Sequence, residues 1–369
     1  MSQMIDTARA LTRRVFIRRA GVALAATPLA AGMVAAACAD DPVTRPPGVN
    51  AQAVATNTRS NTSHTASTTP TAGGGMTAEQ IDLHHKEGVD LFLKNLTEPI
   101  TKGKGNLPAE FRMEGNLKVF DLTIDEITWE TTPGKTERAR AYNAMIPGPI
   151  LRAKVGERVR INVKNNLEES TAVHWHGLYV PNDQDGVPYV TQDPIKPGAT
   201  YVYEFDIRNA GTHMYHSHHN SMDQVNRGLL GAFIVDPANP ADYPAYDREY
   251  IMVLNDTLMG FTINGKGFPA TDAVIAKKGE RILVRWMNEG LMNHPMHLHG
   301  MPMRVIQRDG WPVEPSYLCD TLDVPAGNRF DTIIEATEEG LWAFHCHILS
   351  HAESANGMFG LVTVFVVQA

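Results

Sequence analysis

Between residues 77 and 96 the apolar positions Ile81, Val89, Phe92, Leu93 and Leu96 recur at helical spacing, which predicts one amphipathic helix. Beyond Gly105 the period changes to two. Phe120, Leu122 and Ile124 alternate with polar residues, as do Val159, Ile161 and Val163, and Tyr201, Tyr203, Phe205 and Ile207 keep the same period. Such alternation turns one face of each strand to a core and the other to water. Gly and Pro punctuate these runs often, so the expected fold is all-β, built as sandwiches, with one short helix ahead of them.

Upstream of that helix there is little to bury. Thr12-Arg13-Arg14-Val15-Phe16-Ile17-Arg18 precedes a small-residue apolar run from Gly21 to Ala37 that Pro28 interrupts. This reads as a twin-arginine export signal rather than a membrane span and predicts a periplasmic or extracellular location. Cleavage after Ala35-Ala36-Ala37 and lipidation of Cys38, which would anchor the protein to a membrane, both remain open. The Thr, Ser, Asn, Ala and Pro that follow predict a disordered tether in which His64 is simply solvated. The expected organisation is a signal peptide over 1–38, a linker over 39–76, a helical extension over 77–104, and domains over 105–237 and 238–369.

The second domain repeats the first. Ala153-Lys154-Val155-Gly156-Glu157-Arg158 aligns with Ala276-Lys277-Lys278-Gly279-Glu280-Arg281, and the same offset carries His174-Trp175-His176-Gly177 onto His297-Leu298-His299-Gly300. Near each domain's end, Gly211-Thr212-His213-Met214-Tyr215-His216-Ser217-His218 resembles Gly340-Leu341-Trp342-Ala343-Phe344-His345-Cys346-His347.

These repeats carry most of the candidate chemistry. The chain has 15 His but only three Cys, too few for a disulfide scaffold, and its net charge of −8 argues against nucleic acid as a partner. Two histidines separated by one residue on a strand share a face, so each of the four such pairs grips a metal from one direction. Four pairs, two in each copy of a repeat, have no plausible structural explanation. His294, Cys346 and His351, with a Met nearby, form the ligand set of a blue-copper centre. Cys319 reads as an ordinary buried small hydrophobe. His84 and His85 suit a surface or packing role. His213 and His219 fall on the strand parity opposite to His216 and His218 and suit packing or outer hydrogen bonding.

His294-Pro295-Met296-His297-Leu298-His299-Gly300 and His345-Cys346-His347-Ile348-Leu349-Ser350-His351 resemble the copper signatures of multicopper oxidases, the laccase family. The resemblance covers both domains and implies two tandem cupredoxin-like Greek-key sandwiches, four coppers per active unit, and one-electron oxidation of a small donor coupled to four-electron reduction of O2 to water. It implies type 1 copper on His294, Cys346 and His351 with Met358 axial. It also implies type 2 copper on His174 and His297, and a type 3 pair on His176, His216, His218, His299, His345 and His347. Cys346, His345 and His347 would carry electrons. Asp185 matches the family's proton supplier, although an Asp before Gly is also an ordinary turn residue. Thr171, Ser217 and a position near Met222 stand where the first copy would need type 1 ligands. The chain therefore resembles the two-domain class with its blue site in the second domain, which implies a homotrimer with clusters between subunits.

Two departures stand out. About two extra residues separate His351 from Met358, and Ala352 follows His351 where many relatives have an acid, leaving Glu353 as a possible substitute. Met292, Met296, Met301 and Met303 form either a soft site for a metal-ion donor such as Cu(I) or plain core filling. A copper nitrite reductase would place its blue site in the first domain, against Ser217. A copper carrier or buffer would not need eight paired histidines. Phenols, aromatic amines, Cu(I), Fe(II) and Mn(II) all remain open as donors.

Overall fold

The computed structural model describes residues 76–369. The twin-arginine segment, Cys38 and the expected tether lie outside the described residues. No described helix is long and apolar enough to cross a membrane.

The helix runs Ala78–Asn95, capped by Thr77, whose side chain accepts from the Gln80 N–H while the Gln80 side chain accepts from the Thr77 N–H. Its buried face differs from the predicted one. Ile81, His85, Gly88, Phe92 and Asn95 face the protein, with Phe92 the one fully buried residue, whereas Val89 and Leu93 are exposed. Spacings of four, three, four and three make this the inner stripe. Gly88 belongs to it because Phe268 packs there; an added Cβ would stand 3.5 Å from that ring.

The remainder is two β-sandwiches. In the first, one sheet orders Arg112–Glu114, Leu117–Thr132, Arg158–Asn165 and Thr200–Asp206, with Lys135–Tyr142 also paired to the second of these. The facing sheet orders Gly148–Lys154, Leu230–Asp236, Gly211–Ser217 and Val173–His174. The second sandwich faces a six-stranded sheet, from Gly260–Ile263 to Trp311–Cys319, with a five-stranded one. Each sheet contains one parallel pair within an otherwise antiparallel pattern. The alternation read from sequence lands as expected, for Phe120, Leu122, Ile124, Val159, Ile161 and Val163 are all buried. One core gathers around Trp175, Tyr203 and Phe233 and the other around Trp286, Phe344 and Phe365.

The repeat holds in hydrogen-bond register. Ile161 pairs with Tyr203 and Val163 with Tyr201, while Val284 pairs with Thr332 and Trp286 with Phe330. Met214, Leu230, Ala232 and Ile234 of the first sandwich pack against Val253 and Met287 of the second. Beside this apolar seam lies a buried ionic network. Arg285 Nη1 is 3.0 Å from Asp331 Oδ2, and Arg285 Nε donates to Glu249 Oε1 at 2.6 Å. Thr212 and Tyr243 both donate to Asp331, so its carboxylate is fully paired. Removing one partner strands a charge in a low-dielectric place. Asp331→Ala is expected to cost about 3–5 kcal/mol in denaturant unfolding, whereas breaking a solvent-exposed pair such as Lys86–Asp90 should cost well under about 1 kcal/mol.

Candidate metal centre

Two histidine quartets and one sulfur site emerge. In the first quartet His174 lies 5.8 Å from His176, 5.4 Å from His216 and 5.5 Å from His218, measured between ring centroids. In the second, His297 lies 4.9 Å from His299, 5.8 Å from His345 and 5.5 Å from His347. Backbone pairing creates each group, since His174 stands opposite His216 and His297 opposite His345 on adjacent strands. Ring nitrogens converge in both: His176 Nδ1 and His216 Nε2 are 3.4 Å apart, and His299 Nε2 and His345 Nε2 are 3.2 Å apart.

Which nitrogen is offered outward is set by what the other one does. Nδ1 of His174 contacts the Asp185 carbonyl at 2.8 Å, and Nδ1 of His297 contacts the Asp320 carbonyl at 3.0 Å. Nδ1 of His216 and of His345 contact the carbonyls of Ser217 and Cys346, each at 3.0 Å. A ring N–H donating to a carbonyl leaves Nε2 as a bare lone pair. Burial and neighbouring cations, Arg329 among them, push the His176 pKa down to about 3, and burial pushes His216 down to about 4. Neutral imidazoles locked in one tautomer are what a cation requires.

Among the described residues, every ring contact between these eight histidines falls within one quartet. The strand Trp311–Cys319 runs between them: Trp311 packs on Tyr179, just past His176, and Cys319 adjoins Asp320, which holds His297. Its nine residues span roughly 30 Å. One chain therefore carries two half-centres, both at its surface.

The sulfur site is different. His294 is 0% and Cys346 0% exposed, and His351 is 5%. Nδ1 of His294 and of His351 stand 3.9 and 3.7 Å from Cys346 Sγ. Burial pushes the Cys346 thiol up to about 11, so only a bound cation would displace its proton at neutral pH. Two imidazoles and one soft sulfur in a closed apolar pocket suit copper. The strand pleat sends Cys346 inward between His345 and His347, which face out.

The equivalent place in the first sandwich is filled by protein. Thr171 donates to Gln224 Oε1 at 2.8 Å and Ser217 to the same oxygen at 2.6 Å. Gln224 is buried, whereas Met222, the residue expected by offset, is 65% exposed. Helix geometry in Ser221–Gln224 turns the third position inward two residues later than simple counting gives.

Other expectations resolve in the same way. Met358 lies on a two-stranded hairpin with Glu353, and it packs with Phe92, Phe268 and Ala352. The two extra residues build this hairpin, on which the N-terminal helix rests: a Cβ at Gly357 would come 3.2 Å from His85 Cα. His85 Nε2 approaches Glu353 Oε1 at 3.6 Å, so Glu353 points to the helix. Met296, Met301 and Met303 are core residues, and only Met292 is exposed. His213 is fully buried in the core, burial holding its pKa near 3, while His219 lies beyond the strand. Cys319 is half-buried rather than buried. Asp185 also brings its carboxylate Oδ1 to 3.3 Å from His174 Nδ1.

Three residues escaped sequence reasoning. Asp320 plays toward His297 the part that Asp185 plays toward His174, but at a different offset. The side chain of Asp256 is fully buried, 3.2 Å from His294 Nε2, and held by the N–H groups of Leu291 and Met292 at 2.7 Å each. Gly290 permits this approach, because a Cβ there would stand 2.6 Å from Asp256 Oδ1. Phe261 stacks on His351 at 4.2 Å. No motif announces any of the three.

Family models described as multicopper oxidase match residues 123–240 and 243–368. Copper resistance protein A of Escherichia coli is 29% identical over 304 residues, covering 65% of this chain and 49% of that protein. Laccase-2 of Botryotinia fuckeliana is 31% identical over 286 residues, covering 66% and 48%. The chain thus spans about half the length of these curated relatives. Among solved structures, the blue copper oxidase of Nitrosomonas europaea superposes with a TM-score of 0.64 at 31% identity, covering 68% of this chain and 85% of that one. The multicopper oxidase mgLAC gives 0.63 at 34% identity, covering 68% and 86%.

His176, His213 and His216 remain neutral in the fold well below pH 6, whereas in the unfolded chain each takes a proton near pH 6.5. The unfolded state therefore binds more protons between those limits, and stability falls as pH falls. Copper-free protein is expected to show a lower urea midpoint at pH 5 than at pH 7.5, and replacing His213 with Leu should flatten that difference.

Proposed function

The chain belongs to the multicopper oxidase family, whose cofactor is copper, and from that premise we propose that it is a laccase-like oxidase, taking single electrons from a small donor and delivering four to O2. The observation that carries this reading is the alternation His345-Cys346-His347, which joins the buried sulfur site to a surface quartet through a few covalent bonds. Bound copper would supply one-electron acceptance at the sulfur site and oxygen reduction at the histidines. His294, Cys346 and His351 would hold the type 1 ion, and Met358, on the hairpin that follows His351, is the candidate for a fourth ligand. His174 and His297 would hold type 2, and His176, His216, His218, His299, His345 and His347 the type 3 pair. Asp256 positions His294 through Nε2, and closure of the pocket excludes water from the sulfur. Asp185 orients His174 and stands close enough to pass a proton to the centre.

Each quartet is half a centre and each lies at the surface, which supports completion by a second copy. Quartets on separate regions of one chain make a heterologous contact, which closes into a ring where the rotation between neighbours allows it. A homotrimer is the reading that also agrees with the exposed Tyr189, Val190, Trp311 and Leu318 of the first-quartet loop and the intervening strand. The twin-arginine sequence supports export of the folded chain, and Cys38 is the residue an acyl anchor would use.

The donor is a phenol or aromatic amine in the laccase reading. A second reading, Cu(I) or another metal ion as donor, is favoured by the copper resistance relatives and by Met292, exposed beside Asp256. Parallel steady-state assays with a phenol and with Cu(I) separate them by kcat/KM.

Copper analysis of the loaded, air-oxidised protein is expected to give four ions per chain. A value of one or two would overturn the quartet assignment. Cys346→Ser should abolish the blue colour and donor oxidation while retaining most of the copper; unchanged turnover would end the proposed electron path. Light scattering should show three chains, and a fully active monomer would refute assembly across subunits.

A further inference from the structure

Trp175 sits between His174 and His176, so its ring points inward from the strand that carries both imidazoles. It is completely buried, and its Nε1–H meets no acceptor. Tyr203 stands against it edge-on with ring centroids 5.0 Å apart, and Tyr201 follows on the same strand face at 4.6 Å. Tyr203 is fully buried; Tyr201 is half-exposed. Three readily oxidised rings thus make an unbroken line from the first quartet to solvent. A second line, from Trp175 to Tyr215 at 6.2 Å and Tyr142 at 5.1 Å, ends at a fully buried phenol.

The sister sandwich shows that a β-sandwich core of this kind does not require the line. By register, Leu298 takes the place of Trp175, Thr332 that of Tyr203 and Phe330 that of Tyr201. None of these gives up an electron readily. The same fold therefore packs without such a line of rings, and among the described residues this one lies beneath the first quartet.

We propose that Trp175, Tyr203 and Tyr201 form an oxidative escape route that carries a hole away from the oxygen-reducing copper centre when donor electrons run short. The inference rests on the oxidase reading above. Trp175 would give one electron to copper held by the quartet, Tyr203 would re-reduce Trp175, and Tyr201 would re-reduce Tyr203. Tyr201 thereby becomes a neutral tyrosyl radical, its phenolic proton leaving to solvent. An external one-electron donor of the class the enzyme already oxidises, with a proton from water, restores the phenol.

The surroundings give the route its direction. An indole N–H without an acceptor cannot shed its proton, so an oxidised Trp175 is a relay rather than a resting place. The Tyr203 hydroxyl accepts the Val173 N–H at 3.0 Å and is sealed from water. Only at Tyr201 is there solvent to take a proton, with the carboxylates of Asp183 and Asp193 near enough to favour positive charge. Each step outward meets better proton acceptance.

The test uses the copper-loaded full chain, given O2 and less donor than complete reduction needs, followed by freeze-quench electron paramagnetic resonance. A tyrosyl signal that narrows with ring-deuterated tyrosine is expected, and it should be lost in Tyr201→Phe combined with Tyr203→Phe. Phe keeps the aromatic packing, so initial kcat and KM should stay at the parental level, although the Val173 N–H loses its acceptor and stability falls. Under donor shortage the double variant should inactivate several-fold faster, with oxygen added to Trp175 and the quartet histidines by peptide mass spectrometry. Absence of a radical in parent protein that turns over, or parental inactivation in the double variant, would overturn the escape route and leave the oxidase reading standing. Protein that neither binds copper nor turns over would overturn both.

Discussion

A β-strand sends successive side chains to opposite faces, and the arrangement of this protein depends on that alternation at three consecutive residues. Cys346 points into the closed core of the second sandwich, where His294 and His351 meet it, while His345 and His347 face the surface quartet. A strand end holds the two sites at a short covalent separation with little freedom. The antiparallel partner repeats the logic, for His294 and Met296 turn inward and His297 and His299 belong to the outer group.

Duplication supplies the second half-centre at the cost of a redundant pocket. In the first sandwich the inward position between the paired histidines is Ser217, and Thr171 and Gln224 complete a hydrogen-bonded triad with it. Three polar side chains satisfy one another in a buried place that would otherwise hold unpaired groups. The first sandwich has thereby become a provider of imidazoles, with its remaining core given over to large aromatic side chains. Thr212 and Arg152 tie it to the buried ionic network of Arg285, Asp331 and Glu249 in the second sandwich, with both quartets at the surface.

The sulfur site is closed by parts distant in sequence. Phe261 lies on His351, Asp256 stands behind His294, and the helix Ala78–Asn95 supports the hairpin bearing Met358. The longer loop after His351 and the extra helix are one adaptation, since Gly357 is what lets the helix backbone approach. Ala352, where an acid is common, is buried under that hairpin, and an ionised side chain would find no partner there.

The periodicity of Phe120 to Ile124 and of Val159 to Val163 determined strands and their buried faces, because a period of two has one structural solution. The offset between His174 and His297 determined the repeat, and paired histidines determined that metal chemistry is local to each copy. Tertiary structure alone decided the rest. Asp256, Asp320 and Phe261 act through contacts between distant strands, which leave no trace in spacing. Gln224 rather than Met222 fills the redundant pocket because a turn of helix changes the count. The helix presents Ile81, His85, Gly88 and Phe92 and leaves Val89 and Leu93 exposed, since its backbone closes on the hairpin at Gly357. That one chain's quartets do not meet is likewise a fact of three dimensions: the strand Trp311–Cys319 stands between them.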